Sequence, residues 1–155
     1  MTKNIILILL LFTPFFLFSQ SYFDHLKANY PVYGFTLVSG YADGAADVMQ
    51  FKYDRSVFPQ KGQKGYGFWN PKISWRNKYK NGDPKQGDKF LLSSSSLVFI
   101  TDSWHLSKTI RNISTTSSIL TYKQPKKKWY KVVDFALITL TRSIGWHLAN
   151  ETLIK

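Results

Sequence analysis

The central stretch of the chain, residues 56–89, constrains the fold most because it cannot form a long regular element. It holds five of the nine glycines and three of the six prolines, and both residue types interrupt helices and strands. Eight basic and only two acidic residues occur there, interleaved with aromatic side chains at Tyr66, Phe68, Trp69, Trp75 and Tyr79. The stretch is therefore predicted to be a long basic aromatic loop that contains one short helix, Trp75 to Lys80, capped by Ser74 and ended by Asn81-Gly82.

Three segments outside this loop carry helical patterns. The first follows Asn29 and Pro31, which suit a helix start, and extends to about Arg55. The second follows the serines of residues 93–96 and is apolar from Leu97 onward, and the third runs from Val132 to about Asn150 with apolar residues along one face. These patterns predict a mostly α fold, a small helical bundle whose last two helices form a C-terminal antiparallel hairpin.

The N-terminus has the pattern of an export signal. Lys3 precedes a mostly apolar run from Ile5 to Phe18, a length typical of a signal peptide and too short for a comfortable membrane span. We predict that residues 1–19 are a signal peptide, or an uncleaved anchor if the cut does not occur. Residues 20–155 then form a single helical domain, since a chain of 155 residues needs no second one.

Charge and cysteine content restrict the possible functions. The chain contains no cysteine, so disulfides, thiolate metal sites and a cysteine nucleophile are excluded. The net charge of +12 would suggest nucleic acid in a cytosolic protein, but export argues against that partner. We therefore expect membrane lipids and other anionic surfaces as partners, with cell-surface polyanions as the alternative.

The last two helices carry charges that bear on a membrane location. The free energy of membrane insertion is marginal for both helices, because the cost of Asp102, Lys108 and Arg142 offsets the favourable contribution of the apolar residues. In a hairpin folded about residue 122, Asp102 and Arg142 are equidistant from the turn. We therefore predict an ion pair between these two side chains, which would reduce the cost of placing either charge in lipid.

A metal site is the main catalytic alternative. Asp102-x-x-His105 has the spacing by which one helix turn presents a carboxylate and an imidazole to one ion. Asp43, Asp47 and His147 are further candidate ligands, and this donor set would suit iron, manganese or zinc. The sequence has no second carboxylate-x-x-His motif, no G-x-S-x-G elbow and no phosphate-binding loop, so we expect no cofactor and favour a protein that is not an enzyme.

Two motifs carry a family resemblance. The segments WNPKISWRNKYK, residues 69–80, and TDSWHL, residues 101–106, resemble a group of small uncharacterised exported or membrane proteins of Bacteroidota-type bacteria. The resemblance implies a setting near a membrane and implies no activity.

Together these features predict a small exported helical protein associated with the inner membrane or with its periplasm-facing surface. Its role would be structural or accessory. A metal-dependent membrane enzyme and a secreted, soluble polyanion-binding module are the alternatives.

Overall fold

The computed structural model describes residues 20–155, and within this range the chain is mostly helical with no β-strand. The signal peptide or anchor predicted for residues 1–19 lies outside the described residues. The mostly α fold is confirmed. Its α-helices are α1 (Gln20–Ala28), α2 (Tyr30–Phe51), α3 (Tyr66–Trp69), α4 (Pro71–Ser74), α5 (Ser103–Thr121) and α6 (Tyr130–Leu153).

The predicted loop between α2 and α5 is built from short elements rather than long ones. Besides α3 and α4, it contains 3₁₀ turns at Tyr53–Arg55, Trp75–Lys78, Lys80–Gly82, Pro84–Gln86 and Val98–Ile100. Its aromatic side chains pack on the end of α2. Phe58 stacks on Trp69 with ring centroids 4.9 Å apart, and both contact the cluster formed by Val48, Met49 and Tyr53. The loop is thus part of the hydrophobic core.

Helix α2 lies between α5 and α6 and packs along both. Ser103 at the start of α5 contacts Met49 near the end of α2, whereas Ser118 near the end of α5 bonds to Thr36, so α5 runs antiparallel to α2. Gly145 of α6 lies against Leu37, and Ala149 lies against Gly44, so α6 runs parallel to α2. The last two helices are therefore antiparallel to each other, but α2 is the element against which each one packs.

Glycines permit the close approach of α2 and α6. A Cβ atom added at Gly44 would lie 2.7 Å from the carbonyl oxygen of Trp146. At Gly40 and Gly145 it would meet main-chain atoms of Arg142 and Leu37 at still shorter range. The Gly40-x-x-x-Gly44 pair of α2 is therefore a helix-packing motif, with Gly145 as its counterpart on α6.

Helix α5 begins later than the sequence pattern predicted. The serines of residues 93–96 were expected to cap it, but Ser93 accepts a hydrogen bond from the Lys89 N–H and donates one to the carbonyl of Lys78. The residues after them form a turn and then the 3₁₀ segment Val98–Ile100. Asp102 is the N-cap instead, because its Oδ1 accepts a hydrogen bond from the His105 N–H at 2.9 Å.

We expect Gly40→Ala to lower the free energy of unfolding by about 1–3 kcal/mol, because the methyl group would push α6 away from α2. Gly34→Ala is the matched control on the same helix, since a Cβ there meets nothing within 4 Å. That variant should stabilise the protein by about 0.5–1 kcal/mol through helix propensity. Urea unfolding followed by circular dichroism measures both, and equal effects of the two substitutions would contradict the role given to Gly40.

Candidate functional site

The Asp102 and His105 side chains form a hydrogen-bonded dyad at the start of α5. Asp102 is 1% exposed, and its Oδ2 lies 2.7 Å from His105 Nδ1. A carboxylate can only accept, so Nδ1 carries a proton, and in the neutral imidazole the lone pair is then on Nε2. The same aspartate therefore caps the helix and fixes the orientation and tautomer of the imidazole.

The dyad borders a cavity of about 380 Å³ between the end of α2, α4 and the start of α5. Two indole rings, an amide, an ammonium group and a buried hydroxyl complete its wall. The lining residues are Gln50, Pro71, Lys72, Ser74, Trp75, Asp102, Trp104 and His105.

Asp43, a predicted metal ligand, is surrounded by cations instead. Its Oδ1 accepts hydrogen bonds from Lys108 and Arg111, each at 3.1 Å, and its Oδ2 accepts one from Arg142 at 3.2 Å. Burial opposes ionisation of this carboxyl group, but the hydrogen bonds from Lys108 and Arg111 outweigh it and lower the pKa of Asp43 below its usual value. Three cations occupy the positions that a metal ion would need.

The remaining predicted metal ligands point to separate places. Asp47 accepts a hydrogen bond from the Trp146 indole at 2.9 Å, while His147 contacts the Trp146 ring edge-to-face. Within residues 20–155 no three histidine, aspartate or glutamate side chains are grouped so that they could hold a metal ion. The iron, manganese or zinc site predicted from Asp43, Asp47, Asp102, His105 and His147 is therefore not assembled by the described residues.

The predicted ion pair between Asp102 and Arg142 does not form in the described part of the chain. Asp102 pairs with His105, and Arg142 pairs with Asp43. The reason is the position of α2 between the two helices. The neighbour of Asp102, Ser103, lies at the level of Met49, whereas Arg142 lies at the level of Gly40, and nine residues of helix separate those levels by about 13 Å.

A second buried polar cluster was not predicted from the sequence. Asp134 of α6 is 1% exposed and accepts hydrogen bonds from the hydroxyls of Tyr22 and Tyr122, at 2.9 and 2.6 Å, and its Oδ2 lies 2.8 Å from His25 Nε2. Burial and the bond to Asp134 raise the pKa of Tyr22 and of Tyr122 well above the usual tyrosine value. The sequence signal for this cluster is Asp134 itself, a single carboxylate in an apolar helical segment, because a buried carboxylate needs hydrogen-bond partners.

The side of the helical layer opposite Asp43 is apolar. Val38, Tyr41, Leu106 and Ile110 line a groove of about 300 Å³ there. Phe35 and Ile113 extend it by one helical turn on α2 and α5. On α6 the Thr152 hydroxyl bonds to that of Tyr41, and Leu148 and Ile144 precede Thr152 by one and two turns. We call this surface the apolar face, defined by Phe35, Val38, Tyr41, Leu106, Ile110, Ile113, Ile144 and Leu148.

The apolar face is exposed although its residues are large. Val38, Ile113 and Ile144 are 47%, 62% and 53% exposed. The acidic residues of α2, Asp43 and Asp47, make their hydrogen bonds on the opposite side of the layer. Lys108 and Arg111 of α5 lie on that opposite side too. In the part of the chain that the structure describes, no helix is both long enough and apolar enough to cross a membrane.

Comparison with known proteins gives no assignment: no family model, curated protein or solved structure matches the chain. The function has to be argued from the dyad cavity, the Asp43 cluster and the apolar face.

We expect Asp43→Asn to destabilise the protein by about 1.5–3 kcal/mol, since three charge-assisted hydrogen bonds lose their anion. The folded-state pKa of Asp43 is lowered, so its contribution is present at neutral pH and is lost in acid as the carboxylate protonates. The variant should therefore differ from the wild type at pH 7 and converge on it as the pH falls below the usual range of a carboxyl pKa.

Asp54→Asn is the matched control, because that carboxylate is exposed and its single ion pair, to Lys72, is 3.9 Å long. Thermal unfolding measured between pH 2 and pH 7 would show this control close to the wild type. An Asp43→Asn variant as stable as the control at pH 7 would contradict the stabilising role of the hydrogen bonds to Asp43.

Proposed function

We propose that this chain is a small exported protein held against a membrane, with a structural or accessory role and with its apolar face toward lipid. The observation that carries the proposal is the apolar face itself. Eight large apolar residues from three helices lie on one side of the layer, and exposed apolar patches of this kind mark interaction surfaces.

The energetics favour such a contact. Complete burial of an exposed aliphatic or aromatic side chain is favourable by about 1.5–3 kcal/mol, so a half-exposed one gains about 1 kcal/mol on entering lipid. Several side chains acting together give a useful affinity, because they lie on rigid helices and lose little entropy on binding.

Charge complementarity favours anionic lipid. The exposed residues Arg55 and Lys155 are joined by a main-chain hydrogen bond of 2.7 Å beside Leu153, which lines the apolar groove. Each basic residue near an anionic surface contributes about 1 kcal/mol. Together with the net charge of +12, this placement favours a membrane rich in anionic head groups.

The export part of the proposal rests on the sequence. The apolar run from Ile5 to Phe18 after Lys3 would direct the chain to the inner membrane, where it remains attached or from which it is released to the periplasmic side. The apolar face would then keep the released form at that membrane surface. Cell fractionation tests this directly, since recovery in the soluble fraction without detergent would contradict it.

We expect Val38→Glu to weaken binding to anionic vesicles by about tenfold or more, because the change places a charge in the centre of the apolar groove. Co-sedimentation of the full chain with phosphatidylglycerol-containing vesicles and with phosphatidylcholine vesicles measures this, and binding should be stronger to the former. An N-terminal segment that also binds lipid contributes equally to every variant.

Leu91→Glu is the control, because Leu91 is 81% exposed and lies in the loop before α5, outside the apolar face. It carries the same change of charge and should bind vesicles like the wild type. Equal losses for Val38→Glu and Leu91→Glu would refute the assignment of the apolar face as the lipid contact.

A further inference from the structure

The dyad cavity is bordered by a ring nitrogen that residues 20–155 leave without a hydrogen-bond partner. His105 Nδ1 is held by Asp102, and no hydrogen bond among residues 20–155 uses its Nε2. The His105 side chain is 29% exposed and borders the cavity. A neutral imidazole whose Nδ1–H is held by a carboxylate, at the border of an accessible cavity, is suited to accept a hydrogen bond from a ligand.

The cavity wall also contains an unsatisfied hydroxyl. Ser74 is 1% exposed, and its Oγ is the one buried side-chain polar atom without a hydrogen-bond partner in the described residues. Buried polar groups are nearly always paired, so an exception needs an explanation. Ser74 closes α4 on the wall of the same cavity that His105 borders. Two polar side chains with an atom that the described residues leave unpaired therefore line the same cavity.

The rest of the wall indicates the chemistry of that ligand. Trp75 and Trp104 supply flat apolar surfaces. The Gln50 Oε1 atom accepts from the Trp104 indole at 3.2 Å, which leaves the amide NH₂ group as a donor. Such walls, in which aromatic rings combine with a few fixed polar groups, are typical of small-molecule sites.

The charge at the cavity is positive. Lys72 lines it with only a 3.9 Å ion pair to the exposed Asp54, and the Arg76 guanidinium lies 5.3 Å from the centre of the Trp75 ring. The Lys108 ammonium lies 5.4 Å from the centre of the Trp104 ring but is bound to Asp43. The acid of the wall, Asp102, is buried and engaged by His105. A ligand with a negative group is therefore favoured over a neutral or cationic one.

From these features we infer that the dyad cavity binds a small hydroxylated carboxylate of the size of one sugar ring, such as a uronic acid. A ligand hydroxyl donates to His105 Nε2, a ring face lies on an indole, and the carboxylate lies at Lys72. The volume of about 380 Å³ is at the lower end of the range for ligand pockets, which suits one ring rather than a chain. This site is distinct from the apolar face, and its occupation does not depend on lipid.

Titration of the full chain with D-glucuronate, followed by tryptophan fluorescence without vesicles, tests the inference because two of the five tryptophans line the cavity. We expect a saturable change, and we expect D-glucose to bind about tenfold more weakly because it lacks the carboxylate. The absence of a saturable change with glucuronate, or equal binding of the two sugars, would overturn the inference. A failure of vesicle binding would leave this result unaffected.

His105→Asn is the decisive variant, because asparagine keeps an N–H donor for Asp102 and removes the Nε2 acceptor. It should bind glucuronate about tenfold more weakly than the wild type, with an unchanged melting temperature. His147→Asn is the control, since His147 is exposed and lies outside the cavity wall. Wild-type affinity in His105→Asn, or equal losses in the two variants, would refute the role of Nε2.

Discussion

The direct main-chain contact between α2 and α6 is the constraint on which the rest of the structure depends. Gly40 and Gly44 on one helix and Gly145 on the other leave no room for a side chain, so the two backbones touch. Such a contact tolerates little sliding along the axis, because the glycines must stay opposite the carbonyls that they accommodate. The register it sets places Arg142 beside Asp43 and Trp146 beside Asp47. The hydrogen bonds from Arg142 to Asp43 and from Trp146 to Asp47 therefore depend on the glycine contact.

Asp43 extends this arrangement to the third helix. One of its oxygens is used by Lys108 and Arg111 of α5, and the other by Arg142 of α6, so a single carboxylate ties both neighbours to α2. It also gathers three cations on one side of the layer. The opposite side is left to aliphatic and aromatic residues, which is the basis for a surface that can lie against lipid. Asp43 thus adds charge segregation to the helix packing that the glycines set.

The sequence patterns predicted the three long helices, α2, α5 and α6, but missed α1 and did not show which helices pack together. Asn29 and Pro31 predicted the start of α2 closely because they are local signals, whereas the helix ends at Phe51 rather than near Arg55. The predicted ion pair of Asp102 with Arg142 rested on chain symmetry about residue 122, and no local pattern reveals that α2 separates the last two helices. The start of α5 was misplaced for a similar reason, since Ser93 bonds to Lys78, fifteen residues earlier in the chain. Asp134 shows the same limit, because its partners Tyr22 and His25 are more than a hundred residues away.

Asp102 shows how one local motif acquires a second role through the fold. As an N-cap, Asp102 accepts a hydrogen bond from a main-chain N–H that would otherwise lack a partner. This role is common to N-cap residues at exposed helix starts. Because Asp102 is only 1% exposed, its second carboxylate oxygen also needs a hydrogen-bond donor. His105 Nδ1 is that donor. The imidazole of fixed orientation then borders the cavity whose wall also contains the buried Ser74 hydroxyl, which has no hydrogen-bond partner among the described residues. One aspartate thus both starts α5 and sets the position of a ring at the cavity edge.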